Sequence, residues 1–252
     1  MSSKCAKIGV KSWRVIYMDN ELCSHCQTYT RPGLPGGGKV EEITARKMCK
    51  NAVDRSQGQL VDIAMVGFCD DELLEYVADR SPKLSRLEIA HSKYSAGSLI
   101  KALKKLPKLE ELSIHSAADG LQVDQALGSY CPGLKTLRLN HCDDIGDEEI
   151  IAITQNLREL RHLEMHSNLK LSNTGVQAVL DGCPCLKVLD LRLCVSVDLN
   201  GDIGKRLEQI ECVLHTEPIN IDPYSGGAWF IDLKTHRKVL GGNIMASMSD
   251  SD

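Results

Sequence analysis

Leucine recurs through the middle of the chain at Leu60, Leu84, Leu109, Leu134, Leu160 and Leu186, at intervals of 24, 25, 25, 26 and 26 residues. Three residues after each stands Ile63, Leu87, Leu112, Leu137, Leu163 or Leu189, and five after each Met65, Ile89, Ile114, Leu139, Met165 or Leu191. Most positions between them are polar. Apolar residues at +3 and +5, set among polar ones at +2, +4 and +6, give the two-residue alternation of a half-buried strand. The second half of each unit changes to helical spacing: Ile150, Ile153, Thr154 and Leu157 fall on one helix face. Ser95, Asp147 and Ser172 are the expected N-caps, and Pro82, Pro107, Pro132 and Pro184 follow the helices, where a missing N–H blocks continuation. Each unit is thus predicted as one strand plus one helix. Neither can bury its apolar face alone, so the units must stack side by side.

The period lies in the range of leucine-rich repeats. The predicted fold is therefore an α/β leucine-rich-repeat solenoid, with a curved parallel sheet inside and helices outside. About six repeats span residues 60–214. Residues 40–59 are expected to form an N-terminal cap, with an amphipathic helix over Val40 to Val53 covering the apolar edge of the first repeat. Residues 20–39, with Pro32, Pro35 and Gly36-Gly37-Gly38, have the composition of a flexible linker closing a first segment, 1–39. The period lapses after a last partial strand at Ile210–Leu214. In the C-terminal segment, 215–252, Trp229–Leu233 reads as a strand or docking segment, and the small polar tail from Met245 as disordered.

Composition narrows the function. Thirty basic residues against thirty-four acidic ones give a net charge of −4, without the basic excess of a nucleic-acid or membrane-surface binder. No apolar run approaches the ~18 residues of a membrane helix, and the first residues lack the apolar stretch of a signal peptide. With eleven cysteines, an odd number, reduced thiols in the cytoplasm or nucleus are expected. Cys131, Cys142, Cys183 and Cys194 fall at fixed places in the repeat and are read as buried structural thiols.

Candidate chemistry is sparse. Cys23-Ser-His-Cys26 has one Cys-x-x-Cys pair where tetrahedral zinc usually takes two, and no metal is expected there. Gly33–Lys39 resembles a phosphate loop, but Val40 replaces the hydroxyl residue that would hold magnesium, so no nucleotide or other cofactor is expected. Neither a nucleophile elbow nor a zinc-protease motif occurs, and no catalytic residue is assigned.

The unit Leu134-Lys-Thr-Leu-Arg-Leu-Asn-His-Cys-Asp-Asp-Ile-Gly-Asp147, with Cys-Pro closing its neighbours, resembles the cysteine-containing leucine-rich repeats of F-box proteins. Cys49–Ile63 and Asp71–Ser81 are similar to the plant F-box/leucine-rich-repeat family, a likeness that runs over about residues 45–215. The resemblance implies a non-enzymatic substrate receptor of a Skp–cullin–F-box ubiquitin ligase, whose F-box docks on a Skp-type adaptor. Only Trp13–Asp19 resembles the segment that follows, or closes, that box. The F-box is therefore expected to be largely missing, leaving Trp13, Ile16 and Met18 as the remnant facing the adaptor. The alternative is a binding or decoy protein without ligase coupling.

In either case a target protein, not identified by the sequence, is expected on the concave side of the sheet. The +2, +4 and +6 rows place there Arg86, Glu88, Glu111, Ser113, His115, Thr136, Arg138, Asn140, His162, Glu164, His166, Asp190 and Arg192. Arg138, central among them, is expected to offer its guanidinium fork to a carboxylate or carbonyl of the target.

Overall fold

A computed structural model describes residues 13–19, 42–115, 126–142, 145–215, 229–232 and 237–240, the last two segments by their backbone. Strands and helices alternate from the first described residue. They are β1 (Val15–Asp19), α1 (Glu42–Arg55), β2 (Asp62–Val66), α2 (Asp71–Arg80), β3 (Arg86–Ala90), α3 (Ala96–Lys104), β4 (Glu111–His115), α4 (Ala126–Tyr130) and β5 (Thr136–Asn140). The series continues through α5 (Asp147–Thr154), β6 (His162–Glu164), α6 (Asn173–Gly182), β7 (Val188–Leu191), α7 (Asp202–Leu207), β8 (Cys212–His215), β9 (Trp229–Asp232) and β10 (Arg237–Leu240). One sheet contains all ten strands in chain order. The first eight run parallel, and β9 and β10 follow antiparallel. This is the predicted solenoid.

The register shows why the leucine period is so strict. Ile16, Ile63, Leu87, Leu112, Leu137, Leu163, Leu189 and Val213 are successive cross-strand partners, and all are buried. Met18, Met65, Ile89, Ile114 and Leu139 form a second buried row two residues on. A one-residue slip would turn both rows to the solvent. Leu60, Leu84, Leu109, Leu134 and Leu160 sit fully buried beneath the strand starts.

Five of the strands are followed by a residue in the left-handed region seven positions after the repeat leucine: Gly67 (φ 82°), His91 (48°), His141 (54°), Ser167 (60°) and Leu193 (58°). Only glycine adopts it without steric cost. In three of the other four the turn is held by its neighbours: the N–H groups of His91, His141 and Ser167 donate to the carbonyls of His115, His166 and Arg192 in the following repeat. One residue further on comes Ser92, Cys142, Asn168 or Cys194. Asn168 is completely buried, accepts from the Cys142 N–H (3.0 Å) and donates to the Leu139 carbonyl (2.8 Å). The Cys142 thiol reaches the Ile114 carbonyl of the preceding repeat at 3.9 Å, and that of Cys194 the Met165 carbonyl at 2.9 Å. These cysteines are therefore small polar linkers between repeats. Burial pushes the thiols of Cys49, Cys131 and Cys183 up to about 12.

Ser95 and Ser172 cap α3 and α6, as the sequence predicts. Asp147 does not cap α5. The N-cap is Gly146, and Asp147 reaches into the next repeat, where its carboxylate accepts from the backbone of Ser172 (2.8 Å) and Gly175 (3.0 Å). Asp71 does the same for Ser95. The carboxylate thus fixes the start of the following helix rather than its own. Neighbouring helices also approach closely: a Cβ on Gly182 would stand 2.7 Å from the Thr154 carbonyl oxygen.

Two boundaries differ from the sequence reading. β1 belongs to the sheet, so the stack begins at residues 13–19 and not at 60. Ile16 and Met18 are core rungs of β1, unavailable to an adaptor while the sheet is intact. Trp13 packs partly against the core, with the Arg55 guanidinium 5.1 Å from its ring centre. Helix α1 is the helix between β1 and β2, buried through Ala45, Cys49, Ala52 and Val53, whereas Ile43 points to solvent. The linker, Cys23, Cys26, the glycine-rich run and the C-terminal tail lie outside the described residues. Among the described residues, no helix is long and apolar enough to cross a membrane.

Leu137→Ala is expected to cost about 2–5 kcal/mol in denaturant melts, through lost burial and a residual cavity. Thr136→Ala, on the opposite side of the same strand, should cost less than about 0.5 kcal/mol. Equal losses would contradict the register.

The open face of the sheet as candidate binding site

Parallel sheets are normally covered on both faces. Here helices cover one, and the other carries the +2, +4 and +6 rows. The first row runs Asp62, Arg86, Glu111, Thr136, His162, Val188 and Cys212. The second runs Tyr17, Ala64, Glu88, Ser113, Arg138, Glu164, Asp190 and Leu214. The third begins Ala90, His115, Asn140, with His166 and Arg192 continuing it beyond the last strand residues. The sequence-selected residues are therefore brought onto one surface. Tyr17 and Asp62 join them. Asp62 is the +2 residue of the first repeat, so the rule that picked out Arg86 also picks it out; Tyr17 shows no such signal, because β1 lies outside the leucine period.

The charges on this face are wired to one another. Arg86 donates through Nη1 to Asp62 (3.0 Å) and to the Tyr17 hydroxyl (3.1 Å), and through Nη2 to Glu88 (2.5 Å). Its Nε lies 3.4 Å from Glu111. The Tyr17 hydroxyl donates to Asp62 in turn. Glu111 also faces Arg138 at 3.5 Å. Arg138 donates through Nε to Glu164 (2.9 Å) and through Nη1 to the Ser113 hydroxyl (3.3 Å). Glu164 further holds His162 (2.9 Å) and the Asn140 amide (3.2 Å). The chain of contacts reaches from β1 to β6. Further along, Asp190 is closed on Arg192 by backbone and guanidinium bonds.

Two expectations change as a result. Arg138 is not a vacant fork for a target carboxylate; Glu164, Ser113 and Glu111 already surround it. Nor are His115, Asn140 and Asp190 presented to a partner, since crowding by longer neighbours leaves them 6%, 1% and 1% exposed. Glu164 depends on its partners: burial opposes its ionisation, but the His162 hydrogen bond and the Arg138 charge outweigh burial and hold it below the usual carboxylate range. Removing Arg138 and His162 together would strand a buried carboxylate, so that pair of truncations cannot leave stability unchanged.

At the end of the strands, imidazoles gather. The rings of His141 and His166 meet edge to face, 4.8 Å between centres. Burial pushes His115 and His166 down to about 4, and the Arg138 charge on His115, the Arg192 charge on His166 and the neighbouring imidazoles act in the same direction. Among the described residues no group of three or more His, Cys, Asp or Glu side chains is arranged to hold a metal ion. The surface offers a pattern of charged and hydrogen-bonding groups linked to one another across the strands.

Comparison with known proteins agrees on the family to which such a surface belongs. No protein-family model matches the chain. F-box protein SKIP19 of Arabidopsis thaliana is 41% identical over 208 residues, which cover 81% of this chain and 67% of that protein. F-box/LRR-repeat protein 9 of the same plant is 35% identical over 199 residues, covering 77% and 80%. A solved structure, the complex of Rad7 and Elc1 in yeast, aligns with a TM-score of 0.46 at 12% identity, over 69% of this chain and 52% of that one.

The buried imidazoles predict an acid-sensitive fold. Because His115 and His166 bind protons less readily folded than unfolded, their contribution is complete above about pH 6.5 and is lost as pH falls toward 4. Urea melts should show stability falling by a few kcal/mol between pH 7 and 4.5, with a flatter slope in His115→Gln/His166→Gln. A wild-type profile that is flat across this range would contradict the assignment.

Proposed function

The chain belongs to the plant F-box/leucine-rich-repeat family, and from that footing we propose that it is the target-recognition part of a Skp–cullin–F-box ubiquitin ligase. In this reading the concave sheet holds a partner protein and the chain performs no covalent step. Its contribution to ubiquitin transfer is proximity, raising the effective concentration of the target's lysines near the loaded enzyme. The observation that carries the proposal is the open face itself: a parallel sheet that no helix among the described residues covers on one side, with its charged side chains paired with one another. Such a surface forfeits little side-chain entropy on binding, because its rotamers are already fixed.

The burial of Ile16 and Met18 favours a second reading, in which the chain holds its target without delivering it to the ligase, since these side chains serve the core and not an adaptor.

Both readings are tested by tagging the chain and a Thr136→Trp variant, whose indole would obstruct the middle of the first row. Affinity capture from plant extract, quantified by mass spectrometry, should show at least a tenfold loss of the target in the variant with an unchanged thermal midpoint. Undiminished capture would move the binding site off the sheet. Calorimetry against a purified Skp-type adaptor separates the two readings: submicromolar binding supports the ligase receptor, and its absence the uncoupled binder.

A further inference from the structure

The charge on the open face is not evenly divided. Over β5 to β7 it balances, with Glu164 and Asp190 against Arg138 and Arg192. Over β2 to β4 the carboxylates of Asp62, Glu88 and Glu111 surround a single guanidinium, that of Arg86. All three nitrogens of Arg86 are already engaged by these carboxylates and Tyr17. The acceptors are not used up to the same extent. The ion pairs of Arg86 and Arg138 with Glu111 are made to Oε2, and Arg86 hydrogen-bonds Glu88 through Oε2. Among the described residues, Oε1 of each accepts no hydrogen bond. Glu111 is also the most open of the three, its side chain 40% exposed, against 24% for Glu88 and 18% for Asp62. Around Glu88 the sheet carries Arg86 and Ala90 along the strand and Ala64 and Ser113 across it, so on the Ala64 and Ala90 sides a long side chain can approach the carboxylate past methyl groups alone.

We propose that the concave surface over β2 to β4 receives a lysine- or arginine-bearing segment of the partner protein, whose donors complete Glu88 and Glu111. A partner that covers this face meets a cation already engaged and open groups that are anionic acceptors, so donors are needed there, and positively charged ones also neutralise the excess of carboxylates. A carboxylate from the partner would meet like charge and find no spare guanidinium. The strands here are ~4.8 Å apart, so β2 to β4 offer a strip about 10 Å wide, the width of one helix or extended segment. The proposal rests on the concave-face reading above and specifies its chemistry.

A displayed library of random twelve-residue peptides, selected on the whole chain, tests it. Enriched peptides should carry an excess of Lys and Arg. Measured by fluorescence anisotropy, their affinity should fall at least tenfold in Glu88→Gln/Glu111→Gln, less in Glu111→Gln alone, and steeply with added salt. Enrichment of Asp and Glu, absence of any charge bias, failure to select any binder, or equal affinity for the glutamine variants would overturn the proposal. The Thr136→Trp variant separates the two levels. Peptides that lose affinity for it but not for the glutamine variants would refute the cationic partner and keep the concave site. Peptides that bind both Thr136→Trp and the glutamine variants as well as wild type would refute the site as well.

Discussion

Everything in this molecule depends on the in-register stacking of short strands that cannot exist singly. A five-residue strand and a one- to three-turn helix bury too little apolar surface to offset their own ordering, whereas each added repeat buries two surfaces, its own and its neighbour's. The row Ile16, Ile63, Leu87, Leu112, Leu137, Leu163, Leu189 and Val213 is the continuous seam produced by that requirement. The seam fixes the strand register, and the register fixes which side chains face outward. The polar rows are displayed because the apolar rows must meet.

The outward rows then solve a problem of their own. Charged side chains crowded onto a concave sheet lose hydration, and an unpaired charge there is costly. This sheet answers with a ladder of contacts across strands, from Tyr17 and Asp62 through Arg86, Glu111 and Arg138 to Glu164 and His162. Most of these pairs are only partly buried, so their yield in stability is modest. Their consequence is positional. Long side chains that would otherwise sample many rotamers are held in one arrangement, which is what selective recognition of a protein surface requires. The same pairing takes Arg138 out of direct recognition and leaves the open acceptors on Glu88 and Glu111.

The repeat core was legible because it obeys one period: Leu84, Leu87 and Ile89 repeat as Leu109, Leu112 and Ile114, and alternation then assigns the faces. β1 escaped, since Ile16 lies 47 residues before its partner Ile63, outside the period that identifies the others. Asp147 looked like a cap because its residue type and place fit one, yet its carboxylate serves the next repeat, a contact that local pattern does not encode. Alternation puts these side chains on one side of the sheet, but it does not show their individual contacts. Whether Arg138 is vacant or engaged depends on Ser113 and Glu164, 25 and 26 residues away, and on the crowding of a curved sheet. A sequence read one repeat at a time shows neither.

The ion pairs of the open face hold its side chains in one arrangement. A double-mutant cycle on Arg138 and Glu164, using Arg138→Ala, Glu164→Ala and the double variant in urea melts at pH 7, tests it most directly. The account predicts that each single substitution destabilises and that the double costs less than their sum, with a coupling of about 1 kcal/mol or more. Coupling within ~0.3 kcal/mol of zero would mean that the two side chains act independently, and that the face is not held in the arrangement described.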